Sequence, residues 1–361
     1  MRRVVFSAFF IVLVAGLFYY VTVSFSPEKA FEKILQTAQN EEVSLVEEIH
    51  RNIPDIIRNH GIKEALQVVG VAFSEHEISL NACHSLSHRI GHDAITVYGD
   101  DFDGLLEHAS DFCARGYWHG AEAQIVLEGG DISERLGRFC IALTKINPGT
   151  TCFHGAGHAL MNQTLDVQEA LGWCNVLQEK NNIDNISDCY EGVFSELTTI
   201  AGGTDGETGI PYAGKPPITL EVSPLIYCGR LESKYHVPCA RELNGLFLSP
   251  DLTSEEFHSY LQACVRDAVN DELVKACLYN TGASFLRTEL GERGVATFDP
   301  WILTINEDFR RSYIEGVSQE MGNHVLSGLM IDTDSFCESF IDISEQNLCK
   351  DRVLKYSSRT Y

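Results

Sequence analysis

Twelve cysteines constrain this chain more than any other feature. No C-x-x-C pair occurs, so zinc ribbons, thioredoxin-type redox centres and c-type haem attachment lose their usual signatures. The cysteines instead fall into ordered couples. Cys140 and Cys152 are 12 residues apart, Cys174 and Cys189 15, Cys228 and Cys239 11, Cys264 and Cys277 13, and Cys337 and Cys349 12. Cys83 and Cys113 are left over and pair by elimination. Six disulfides are therefore expected, which points to an oxidising compartment.

Each couple sits in the same local context. The first cysteine lies late in an amphipathic helical pattern, as in "ISERLGRFCIAL", "VQEALGWCNVL" and "FHSYLQACVRDAV"; the second opens another apolar helix, as in "CFHGAGHALM" and "CYEGVFSEL". A bridge between them would staple a helical hairpin near its turn. Glycines mark the second helix at Gly120, Gly155, Gly192, Gly245, Gly282 and Gly316, at intervals of 35, 37, 53, 37 and 34 residues. The long interval holds a Gly/Pro-rich insertion, 201–217, which could cover a site or be an inert loop. A period near 36 residues is the mark of helical-hairpin repeats. "YEGVFSE" at Tyr190–Glu196 echoes "YIEGVSQE" at Tyr313–Glu320. The expected fold is all-α: repeats of about 36 residues in a curved α/α superhelix, with a closed α/α toroid as the alternative.

The N-terminus has its own chemistry. Arg2 and Arg3 precede 23 uncharged residues, Val4–Ser26. At ~1.5 Å per residue a helix of that length reaches roughly 35 Å, enough to span a bilayer with some tilt. Positive charge before the span places the rest of the chain outside the cytoplasm. A signal peptide cleaved on secretion is the alternative. The organisation read from sequence is thus 1–26 as anchor or signal, 27–75 as a helical stalk or cap interrupted near Pro54, and 76–361 as the repeat domain. Asp and Glu outnumber Lys and Arg by 51 to 27, a formal charge of -24 that argues against nucleic acid as a partner.

Two resemblances follow from short motifs. "GYWHGAEA" and "CFHGAGHA" resemble inner-helix openings of lanthionine-cyclase-type α/α toroids, which implies a central mouth where helix N-termini meet. Such cyclases use cysteines for zinc, whereas the cysteines here are taken up in couples. Cys83-His84 with His88, Tyr117 to Gly120, Cys152 to His158 and Cys189 to Glu196 together resemble a group of anchored or secreted prokaryotic proteins with repeated Cys-His-Gly motifs. That likeness implies a compartment and a fold, and brings no activity with it.

Histidine is concentrated: seven of 13 lie between His84 and His158. His84, His88 and His92 recur every fourth residue, as do His154 and His158, so each set lies along one side of a helix. His119 precedes Gly120 as His154 precedes Gly155, and Glu122 follows His119 by three. Four imidazoles from two His-x3-His pairs suit zinc, copper or iron, in one site or two adjacent ones. His84, His88, His154 and His158 are the leading candidate ligands, with His119 and Glu122 next, then His92 and Glu196. A pre-glycine row of His119, His154, Glu191 and Glu315 is expected to line one surface. His50, His60, His76, His108, His236, His258 and His324 are expected on the surface. Met161, three residues after His158, is either a soft copper ligand or core. Trp118 and Trp173 read as core.

Three functions are compatible with these residues. The first is a metalloenzyme, a hydrolase or oxidoreductase, in which the ion activates water or dioxygen and Glu122 or Glu196 moves protons. The second is metal capture or delivery without turnover. The third is a scaffold that binds a protein or glycan on its repeat surface, its histidines serving packing alone. No G-x-S-x-G, H-E-x-x-H, Walker or Rossmann motif is present.

Overall fold

A computed structural model describes residues 25–75, 77–107, 113, 116–147, 152–201, 223–243, 253–285, 300–326, 332–340 and 342–357. The hydrophobic N-terminal segment and the Gly/Pro insertion fall almost wholly outside them. Among the described residues there are seventeen α-helices, two short 3-10 turns and no strand. None of these helices is long and apolar enough to cross a membrane. The chain divides after Gln124 into two compact units.

The first unit contains α1 (Pro27–Glu41), α2 (Leu45–His60), α3 (Ile62–Ser74), α4 (Leu80–Tyr98), α5 (Phe102–Leu106) and the start of α6 (Gly116–Glu128). Ser26, Ser44 and Ser79 accept hydrogen bonds from first-turn amides of α1, α2 and α4, and so fix where these helices begin. The helix broken near Pro54 that the sequence suggested is in fact continuous, since α2 runs through the proline. Ile49 and Ile53 before it and Ile56 and Ile57 after it are all buried, and that apolar stripe on both sides offsets the amide bond that proline cannot make. α1, α2 and α3 pack on one another, and α2 and α3 pack on α4.

The second unit continues with α7 (Ile132–Ile146), α8 (Cys152–Thr164), α9 (Val167–Asn181), α10 (Ser187–Ala201), α11 (Pro224–Cys228) and α12 (His236–Leu243). After these come α13 (Ser254–Arg266), α14 (Asp271–Phe285), α15 (Glu307–Leu326), α16 (Thr333–Glu338) and α17 (Ile343–Ser357). Within this unit α8, α10, α12, α14, α15 and α17 form a row in which each helix packs on the next. Disulfides tie each hairpin where the spacing placed them: Cys140–Cys152 joins α7 to α8, Cys174–Cys189 α9 to α10, and Cys228–Cys239 α11 to α12. Cys264–Cys277 joins α13 to α14, and Cys337–Cys349 α16 to α17. Cys83–Cys113 closes the set in the first unit, so no cysteine is free.

Glycine governs how the paired helices meet. A Cβ at Gly192 of α10 would lie 1.9 Å from the His154 carbonyl oxygen of α8, and one at Gly157 2.1 Å from that of Cys189. The same reciprocal contact joins Gly282 of α14 to Tyr313 and Gly316 of α15 to Tyr279. In the first unit it joins Gly91 of α4 to Tyr117 and Gly120 of α6 to His88. The crossing in "CFHGAGH" is therefore at Gly157, not at the periodic Gly155; Gly245 lies outside the described residues.

Candidate metal centres

In the first unit, α4 presents His84 and His88 one turn apart, and α6 brings His119 against them. Gly116 and Gly120 flank His119, and a side chain at either would strike the His84 or His88 carbonyl. "GYWHG" is thus a device for close approach. The three ring centroids form a near-equilateral triangle with sides of 5.3, 5.6 and 5.7 Å. One ring nitrogen from each lies within 4.8 Å of the others. A tetrahedral ion with nitrogen ligands at about 2.0–2.1 Å separates its imidazole centroids by roughly 5 Å. His84 Nδ1 lies 2.9 Å from the Cys113 carbonyl oxygen, which can only accept. The proton is therefore on Nδ1, and Nε2 keeps its lone pair. The Cys83–Cys113 bridge holds that carbonyl beside its histidine.

In the second unit, His154 and His158 of α8 meet Glu196 of α10. The two Nε2 atoms are 3.1 Å apart, and His158 Nδ1 lies 2.9 Å from Glu196 Oε2. Glu196 is buried, and its other oxygen, Oε1, has no hydrogen bond. With Nδ1–H donated to the carboxylate, His158 turns a lone pair toward His154. Adjacent nitrogens on a tetrahedral or octahedral ion at those bond lengths are about 2.9–3.4 Å apart, a range that contains this contact. A carboxylate behind a ligating imidazole is the usual means of orienting it.

Comparison with protein-family models, with curated proteins and with solved structures gives no match.

The two His-x3-His pairs thus enter two separate clusters, one in each unit. Counted from the crossing glycines, His88, His154 and Tyr279 share one position, three residues before Gly91, Gly157 and Gly282. His119, Glu191 and Glu315 share another, directly before Gly120, Gly192 and Gly316. His154 accordingly leaves the expected pre-glycine row. Glu122 and His92 do not join the three-histidine group. Glu122 is fully buried, neither of its oxygens has a hydrogen bond, and burial pushes its carboxyl well above the usual range. Glu191 is held by Arg241 at 2.9 Å. Met161 and Trp118 are buried. His236, expected on the surface, is also buried: its Nε2 donates to the Leu231 carbonyl and its Nδ1 accepts from Asn270. His76, His108 and the side chain of His324 lie outside the described residues. Sequence spacing ranked His119 below His154, because the contact that brings it to His84 and His88 joins two helices and leaves no periodic trace.

Proposed function

We propose that the chain is a membrane-tethered, extracytoplasmic metal-binding protein, its repeat body curved into an α/α superhelix and its principal metal centre built by His84, His88 and His119. The convergence of three imidazoles from two helices, spaced as a tetrahedral ion would space them, carries this reading. Three neutral nitrogen ligands suit zinc first, with copper and iron as alternatives. A three-histidine zinc leaves a fourth position for water, whose acidity the ion would raise; that is the chemistry of a hydrolase rather than of a closed structural site. The His154–His158 pair is a second candidate centre, favoured by its 3.1 Å nitrogen contact and by Glu196, which would position His158 rather than relay protons from solvent. The N-terminal Arg2-Arg3 and apolar Val4–Ser26 support the tether, and six disulfides suit an extracytoplasmic body.

Elemental analysis of the full-length chain, made in an oxidising compartment without a histidine tag, tests this. At least one transition-metal ion per chain is expected. The His88→Ala/His119→Ala variant should lose one equivalent, while His154→Ala/His158→Ala keeps it. Unchanged metal content in the first variant would reject the centre.

A further inference from the structure

The second unit contains a duplication that its histidines conceal. "CFHGAGH" at 152–158 matches "CLYNTGA" at 277–283, and "EGVFSE" at 191–196 matches "EGVSQE" at 315–320. The same disulfide precedes each, Cys140–Cys152 and Cys264–Cys277. The same reciprocal glycine crossing follows, α8 with α10 and α14 with α15. At the second crossing Tyr279 stands where His154 does and Ala283 where His158 does, while both glutamates are kept. The imidazoles are gone, and a cleft of about 570 Å3 lies there. That volume falls within the range of small-molecule sites.

We propose that this cleft binds a neutral polyhydroxylated ligand, an oligosaccharide. Its wall is polar, with Ala283 its single aliphatic side chain among the described residues, so an apolar ligand is ill matched. Its two guanidinium groups are each held by a glutamate, Arg241 by Glu191 at 2.9 Å and Arg352 by Glu315 at 2.8 Å, which disfavours an anion. Among the described residues no three of its carboxylates draw their oxygens within 4.8 Å of one another, which disfavours a bare divalent ion. What remains is an array of planar donors and acceptors: the two ion pairs, the Asn280 and Gln319 amides, and three further carboxylates, Asp188, Glu242 and Glu320, which accept from the hydroxyl groups of a sugar and make a polyamine the competitor that the test must include. Asn280 donates to the Arg241 carbonyl and Tyr279 to Gln319, so the array is held in place before a ligand arrives. Tyr356, half-buried on the cleft wall with Lys355 Nζ 5.8 Å from its ring centroid, is the group that would meet the C–H face of a sugar ring.

The test uses the full-length chain with cellotriose, maltotriose and chitotriose as probes, and with citrate and spermidine as anionic and cationic controls, followed by calorimetry. At least one trisaccharide is expected to bind one-to-one in the micromolar-to-millimolar range, unaffected by a chelator. Tyr356→Ala should weaken that binding about three- to tenfold, and His154→Ala/His158→Ala should leave it unchanged. Circular dichroism and a thiol count confirm that each variant is folded and fully bridged. Binding by none of the three sugars, tighter binding of either control, or unchanged affinity in folded Tyr356→Ala would each overturn the assignment.

Discussion

A carboxyl group with no solvent contact and no hydrogen bond is tolerated only when neutral, and Glu122 is such a group. Glu345, also buried, is instead matched by Arg310 at 2.5 Å. Because burial raises the folded-state pKa of Glu122 above its unfolded value, its contribution to stability is fully present below the unfolded pKa, near 4.5. That contribution is lost as pH climbs from there toward the raised value. Glu122→Gln removes the titration while keeping the shape. Denaturant unfolding of both proteins should give similar stabilities at pH 4 and a growing advantage to the variant toward pH 8. The advantage should be about 1.4 kcal/mol for each unit by which folding raises the pKa. A gap that does not vary with pH would show that the carboxylate finds a partner. Metal content should be the same in both proteins, since Glu122 stands apart from the three histidines.

At the scale of the element, the crossing glycines set how the paired helices meet, and two of the carbonyls they touch belong to the candidate ligands His88 and His154. Gly192→Ala would place a methyl group 1.9 Å from the His154 carbonyl oxygen, so α8 and α10 must part. Gly172 of α9 is a matched control, helical and with no neighbour within 4 Å of where a Cβ would lie. Thermal and denaturant unfolding should show Gly192→Ala destabilised by about 3 kcal/mol or more. Gly172→Ala should be neutral or stabilised by up to about 1 kcal/mol. Equal effects would mean that the helices are not in contact at Gly192. Hairpins and bridges were legible in the sequence because each cysteine couple is local and sits in a repeated helical context. The crossing was not: Gly155 and Gly157 both satisfy a period near 36, and only the reciprocal contact with Gly192 selects Gly157. For the same reason the sequence paired His154 with His119 across repeats, whereas register from the crossing pairs it with His88. The two histidine sets were legible as helical stripes, but their division into a cluster of three and a cluster of two depends on contacts between helices.

For the whole molecule, the decisive question is how much of its stability the bridges supply. Five of the six close short loops, with sequence separations of 11 to 15, and the sixth spans 30. A loop of about 15 residues lowers the entropy of the unfolded chain by an amount worth about 3 kcal/mol. The loops follow one another along the chain without overlapping, so their effects combine in the same unfolded ensemble. Several such contributions together are comparable with the whole stability of an ordinary domain, about 5–15 kcal/mol. The reduced chain is therefore expected to be largely unfolded at 37 °C, although its helices keep their caps and apolar stripes. Circular dichroism and calorimetry of the full-length chain, before and after complete reduction with alkylation of the thiols, measure this directly. The oxidised form should unfold cooperatively and show no free thiol; the reduced form should lose its cooperative transition and, with it, the metal equivalent assigned to the proposed three-histidine centre. The metal loss follows from geometry, since the Cys113 carbonyl that fixes the His84 tautomer is held in place by the Cys83–Cys113 bridge. A reduced chain that melts within a few degrees of the oxidised one would show that helix packing alone sustains the fold, and the bridges would cease to argue for an oxidising compartment.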